Sequence, residues 1–147
     1  MEATAPEEVS RAAFDAYVDA FWSRGDTTAL ARGLAPTMTY TYNGRASQAD
    51  HQRHLRSLRS FRTLFPDLTA VTDVFTARGE YGAAATTWTG TYQGPSCGNK
   101  SAGRKVSWTV NYIFRVAEGR IVELWETWDE AGLFLDLEVP RAGKCDA

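Results

Sequence analysis

Cysteine and histidine are scarce in this chain, with two of each in 147 residues. Cys97 lies in a Gly-rich stretch and Cys145 in a polar tail, and their spacing suggests neither a disulfide framework nor a zinc site. Neither thiol has an evident base nearby, which argues against thiolate catalysis. A reduced, cytoplasmic protein is the default expectation. Long apolar runs are absent, so no transmembrane helix is expected. The stretch "MEATAPEEVS" is acidic and has no apolar segment, so no secretory signal is expected either. An excess of positive charge is missing too. Sixteen Lys and Arg stand against eighteen Asp and Glu, for a formal net charge of −2. That balance argues against a nucleic-acid partner, and no membrane partner is expected.

What the chain does have is aromatic surface. Five Trp, six Tyr and seven Phe make up 12% of the residues, beside 44% hydrophobic and 23% charged. Such rings fill cores, and they also line pockets for flat organic ligands. The length fits a single domain over residues 1–147, with its core over about 7–138 and a tail at 139–147.

Periodicity predicts a first helix over 7–24, with Phe14, Val18 and Phe21 on one face and Tyr17 at its edge. "TTALARGL" reads as a short second helix stopped by Pro36. "TMTYTY", 37–42, reads as a strand ending at Asn43-Gly44, with Tyr40 and Tyr42 on one side. Residues 47–65 form the clearest helix. His54, Leu58, Phe61 and Phe65 share its face, His51 lies nearer the rim, and Arg53, Arg56 and Arg59 fall round the back as a solvated face.

Strands then dominate: "TAVTDVFTAR", "YGAAATTWTGTYQG", "KVSWTVNYIFRV" and "RIVELWETW", the last two joined at Glu118-Gly119. Helices first and strands later argue an α+β fold, a curved antiparallel sheet wrapped over three N-terminal helices to form a cone with an internal pocket. Alternation groups Trp108, Val110, Tyr112 and Phe114 on one face of their strand, and Trp88, Gly90 and Tyr92 on theirs. In the last strand Leu124, Glu126 and Trp128 alternate with Glu123, Trp125 and Thr127.

The segment "ELWETWDEAGLF", 123–134, packs acids against indoles. A carboxylate held in an apolar wall has its pKa raised and becomes a proton-transfer group. Alternation alone does not choose among Glu123, Glu126 and Asp129. For Asp129 the competing reading is an exposed cap on the helix that follows.

"LFPDL" at 64–68, "WTGTYQG" at 88–94, "IFRVAEGRIVELW" at 113–125 and "WDEAGLFLDL" at 128–137 together resemble the SnoaL-like polyketide cyclases, of the nuclear-transport-factor-like α+β cone superfamily. The resemblance covers roughly 7–138. It implies an intramolecular aldol condensation that closes a ring on a polycyclic ester, without a metal or organic cofactor. It places the catalytic acid/base at Asp129, ahead of Gly132 and Leu133. Burial against Trp128 would raise the Asp129 pKa in the useful direction. Tyr112 and Tyr92 would orient a carbonyl oxygen. Trp88, Trp108, Phe61 and Leu58 would line the ring pocket, with Trp128 and Tyr17 as further substrate-binding candidates.

The chain departs from the family pattern at Tyr92 and Tyr112, where histidines are frequent, and at Leu124, where a polar residue is frequent. His54 is the candidate to replace the missing imidazole, against a structural role on an apolar helix face. The resemblance also implies a homodimer through the outer sheet face, near Thr109, Asn111 and Trp125. Other readings on the same scaffold are a hydroxylase, an isomerase, an epoxide hydrolase and a non-catalytic ligand-binding domain.

Overall fold

In the computed structural model, residues 6–94 and 102–137 are described; Cys97, Cys145 and the tail beyond 137 lie outside them. The elements run α1 (Pro6–Asp15) with a π-helical continuation (Ala16–Ser23), a 3-10 turn (Thr27–Ala29) into α2 (Leu30–Gly33), β1 (Leu34–Tyr42), β2 (Arg45–Asp50) and α3 (His51–Leu64). There follow β3 (Thr69–Arg78), β4 (Tyr81–Thr91), β5 (Lys105–Ala117), β6 (Arg120–Thr127) and α4 (Glu130–Asp136). One curved, six-stranded sheet has the order β2-β1-β6-β5-β4-β3. Its concave face receives the helices, an α+β cone. No helix among the described residues is long and apolar enough to cross a membrane.

Two turns set the hairpin registers. Asn43-Gly44 and Glu118-Gly119 each place two consecutive residues at positive φ, and Tyr42 faces Arg45 as Ala117 faces Arg120. Such two-residue turns match the twist of antiparallel strands. The first turn corrects an expectation from periodicity. It folds residues 45–50 back onto β1, so the long helix starts at His51 rather than at 47. Pairing with the open edge of β1 and the burial of Ala49 outweigh helix propensity there. Asp50 becomes the N-cap, its carboxylate accepting from Arg53 N at 3.0 Å.

The sheet is mixed, not purely antiparallel, because β1 runs parallel to β6. The connection through α1 and α2 delivers the chain to the end of the sheet where β6 also begins, pairing Leu34 with Ile121.

The cone is solid at one end and hollow at the other because of the residues paired across β4 and β5. Gly82 faces Phe114 and Ala84 faces Tyr112, small against large, and next to them Thr86 faces Val110, two side chains of similar size. A Cβ at Gly82 would lie 2.3 Å from the Phe114 ring, so only Gly admits that ring. Phe14 of α1 stacks on Phe114 at 5.1 Å and closes this end. Further along, Trp88 faces Trp108. Two large indoles side by side form walls rather than a filled layer, and the space between them and α3 stays open.

The π-helical stretch contributes a third wall. Its wider turn buries Tyr17, Val18, Phe21 and Trp22 together, and Trp22 packs against Trp88 with ring centroids 5.1 Å apart. Such insertions recur where a helix must re-aim side chains at a site.

Candidate active site

The open end of the cone holds a cavity of about 220 Å³. Trp22, Trp88, Trp108 and Trp128 wall it, with Phe61 of α3 and Val110 of β5 between them. Its polar lining is Glu126 and Tyr112 in the interior, with Tyr40, Tyr42, Arg53, Ser57 and Glu130.

Glu126 is the penultimate residue of β6, and the alternation Leu124, Glu126, Trp128 turns it inward. Asn43 fixes this stretch: its N–H donates to Glu126 O at 2.9 Å and its side-chain oxygen accepts from Trp128 N at 2.9 Å. The Glu126 side chain is buried, and burial pushes its pKa up to about 7. A hydrogen bond from Tyr40 Oη to Oε2, at 3.1 Å, partly offsets that push, while the neighbouring Glu130 adds to it. A carboxyl poised near neutrality in a cavity is able both to take and to return a proton.

Around it stand phenols that keep their protons. Burial raises the Tyr40, Tyr42 and Tyr112 pKa values far out of the physiological range, and the charge of Glu126 adds to the effect on Tyr40 and Tyr112. Tyr112 Oη is buried and close enough to feel the Glu126 carboxyl, yet it makes no well-aligned hydrogen bond. Trp108 Nε1 is likewise buried without a partner. Trp88, by contrast, is satisfied: its Nε1 donates to Thr86 Oγ1 at 2.9 Å, which donates to Val110 O at 2.8 Å. Trp22 Nε1 is buried without a partner as well, so three unused donors belong to residues that line the same cavity as a near-neutral acid. Unsatisfied buried donors are costly and need a reason.

At the rim Tyr42 donates to Glu130, and the Arg53 guanidinium lies 5.1 Å from the centroid of the Tyr40 ring. Arg53 was expected on the solvated back of α3. It lines the cavity because it sits in the first turn of the helix, directly over β1.

Among the residues expected at the site, Trp88, Trp108, Phe61, Trp128 and Tyr112 line the cavity. Asp129 does not: its side chain is exposed and caps α4, with Oδ1 accepting from Gly132 N at 2.9 Å. This corrects the expected burial. The strand ends at Thr127, Trp128 takes the last inward position, and the following residue faces solvent where orphan N–H groups of α4 need an acceptor.

Tyr92, Tyr17 and Leu58 are buried but do not line the cavity. Tyr92 packs on Phe65 at 5.8 Å, beyond the Trp88–Trp108 layer, and Tyr17 stacks on Phe21 at 6.1 Å behind the wall. Leu58 is a core contact of α3.

His54 is also off the cavity. Its ring stands edge-on between Tyr17 and Tyr40, at 5.6 and 5.3 Å, with Nδ1 3.4 Å from Tyr17 Oη. Burial pushes its pKa down to about 4, helped by Arg53, so near neutral pH it buttresses Tyr40 as an uncharged ring.

Sequence reasoning missed Glu126, Tyr40 and Tyr42 as site residues, together with the rim residues Arg53, Ser57 and Glu130. The signal was present for the first three. Glu126 is an acid on an otherwise apolar inward face, and both tyrosines fall on one side of "TYTY".

The family profile described as SnoaL-like polyketide cyclase matches residues 12–137. No curated protein sequence matches the chain. Among solved structures, a candidate SnoaL-like polyketide cyclase from Jannaschia sp. CCS1 superposes with a TM-score of 0.77 at 17% identity, over 95% of this chain and 99% of that one. IdmH, a candidate polyketide cyclase from Streptomyces antibioticus, gives 0.75 at 23% identity, over 92% and 100%. AclR, a candidate hydroxylase from Streptomyces galilaeus, gives 0.74 at 22% identity, over 92% and 100%. At these identities the structures establish a shared fold. The profile match, which spans most of the chain and all of the cavity-lining elements, establishes more: the chain belongs to the SnoaL-like polyketide cyclase family.

Proposed function

We propose that this protein closes a ring on an aromatic polyketide by intramolecular aldol addition, with Glu126 as the proton-transfer group. The observation that carries this reading is a buried carboxyl with a pKa near 7, sharing an aromatic cavity with the unpartnered donors of Tyr112 and Trp108. As carboxylate, Glu126 takes a proton from the carbon between two carbonyl groups. Tyr112 and Trp108 donate hydrogen bonds to the enolate oxygen as negative charge develops there. The enolate carbon then bonds to a second carbonyl carbon held nearby, and the new alkoxide takes the proton back from Glu126. Every atom of the substrate is retained. Tyr40 holds Glu126 in place through its hydroxyl, and the indole walls exclude water that would compete for the enolate.

The cavity limits what is bound. A cavity of roughly 150 Å³ accommodates benzene, so about 220 Å³ accepts a unit of two fused rings. A larger substrate would extend past the rim formed by Tyr42, Arg53 and Glu130.

Incubation with a linear-to-ring polyketide precursor, followed by mass spectrometry, tests the reaction class. The expected product has the mass of the substrate, or that mass less water if the aldol dehydrates. A product heavier by one oxygen would replace cyclisation with hydroxylation, the chemistry named for AclR.

The proposed enzyme is a cytoplasmic homodimer joined through the outer face of the sheet. Ile113 is half exposed there, between Ala83 and Trp125 on the adjoining strands, with Val71 and Val74 exposed beyond. Apolar side chains left on a sheet face favour a protein contact. Ile113→Lys is expected to convert dimer to monomer in sedimentation experiments without changing the fold; a wild-type monomer at high concentration would refute the dimer.

A further inference from the structure

Arg53 is the one cation lining the cavity among the described residues. No carboxylate lies within salt-bridge distance of its guanidinium among those residues, although four other arginines make such pairs. One of its terminal nitrogens, Nη1, donates to Ser47 Oγ at 2.6 Å, and the group rests on the Tyr40 ring. The guanidinium is thereby held in orientation. Its Nε and Nη2, the edge with two parallel N–H bonds, make no hydrogen bond among the described residues. That edge matches a carboxylate in a bidentate pair. Tyr40 spans the distance to the proposed base, with its ring beneath Arg53 and its hydroxyl on Glu126.

Building on the cyclase reading above, we propose that the substrate is an aromatic acid rather than an ester. Its free carboxylate pairs with the Nε–Nη2 edge of Arg53, on the far side of the Tyr40 ring from the Glu126 carboxyl. Arg53 is then the residue that sets both the class of substrate and its direction in the cavity. Ring stacking on the tryptophans tolerates many skeletons, whereas a fixed guanidinium fork admits one end of the molecule and rejects its neutral analogues.

Calorimetric titration at about pH 6, where Glu126 is mostly protonated and an aromatic acid is ionised, separates the terms. The probes are 2-naphthoic acid, its methyl ester and the neutral ketone 2-acetylnaphthalene, all of two-ring size. The wild type is expected to bind the acid about ten- to hundredfold more tightly than the ester, the range for a charge-assisted pair. Arg53→Gln brings the acid down to the affinity of the ester, Arg53→Lys retains part of the preference, and Arg56→Gln, on the exposed side of the same helix, retains all of it.

Equal binding of acid and ester by the wild type overturns the proposal while leaving the cavity reading intact. A preference that survives Arg53→Gln does the same. Failure of all three probes to bind overturns the cavity reading and this proposal with it.

Discussion

Glu126→Gln lowers kcat by about two to four orders of magnitude, the usual contribution of a positioned general base, while Asp129→Asn leaves kcat within a fewfold of wild type. Gln keeps the shape of the side chain and accepts from Tyr40 through its carbonyl oxygen, so the cavity is preserved and only the proton carrier is lost. Asn at 129 remains a good N-cap, so α4 stays in place behind Trp128. Steady-state kinetics on both variants decide between the two acids. Collapse in Asp129→Asn with survival of Glu126→Gln would return the catalytic role to the exposed residue. The pH profile supplies a second readout. A base must be ionised in the free enzyme, so kcat/KM rises with pH through about 7, the value to which burial pushes Glu126. In Glu126→Gln that limb disappears.

The contrast between these two acids also shows what was legible in the chain. Alternation along β5 and β6 correctly grouped the side chains that share a face, setting Glu126 with Leu124 and Trp128, and the structure turns that face inward. A period of two is a local property of a pleated strand, and it needs no tertiary information. Alternation did not distinguish which acid keeps its inward direction past the end of the strand. Trp128 is the last inward side chain, and the helix beginning at Glu130 claims Asp129 as its cap. A motif aligned by sequence cannot register a change of direction within one residue.

The hairpin β1–β2 was obscured for a related reason. Residues 47–50 are compatible with a helix, and only pairing with β1, itself parallel to the distant β6, holds them extended. Tyr40 and Arg53 become site residues solely through that non-local pairing. The π-helical turn at Ala16–Ser23 left no trace in the pattern, because an extra residue per turn buries Phe21 and Trp22 together where a regular helix would spread them.

Stability measured against pH is expected to separate Glu126 from His54 by opposite slopes. Glu126 has a folded pKa of about 7 against an ordinary 4.5. The folded state thus holds the proton more tightly, and stability falls as pH rises from about 4.5 through 7, by up to about 3 kcal/mol. His54 has a folded pKa of about 4 against an ordinary 6.5. Here the unfolded state holds the proton more tightly, and stability falls as pH drops from about 6.5 through 4, by a comparable amount. Over the shared window the two contributions oppose each other in the wild type. Removing one exposes the other: Glu126→Gln becomes steeply less stable on acidification, and His54→Gln becomes less stable as pH rises toward 7.

Urea unfolding at about pH 4.5, 6.5 and 8 measures this as differences between variants, in which the surface carboxylates of Asp26 and Asp67 cancel. Glu126→Gln should gain up to about 3 kcal/mol over wild type at pH 8 relative to pH 4.5. Curves that stay parallel to wild type would mean that Glu126 titrates as a solvated carboxylate, and the proposed base would lose the property on which it depends. The stability forfeited above neutral pH and the capacity to take a proton from carbon have the same origin, a carboxyl enclosed by indoles and phenols.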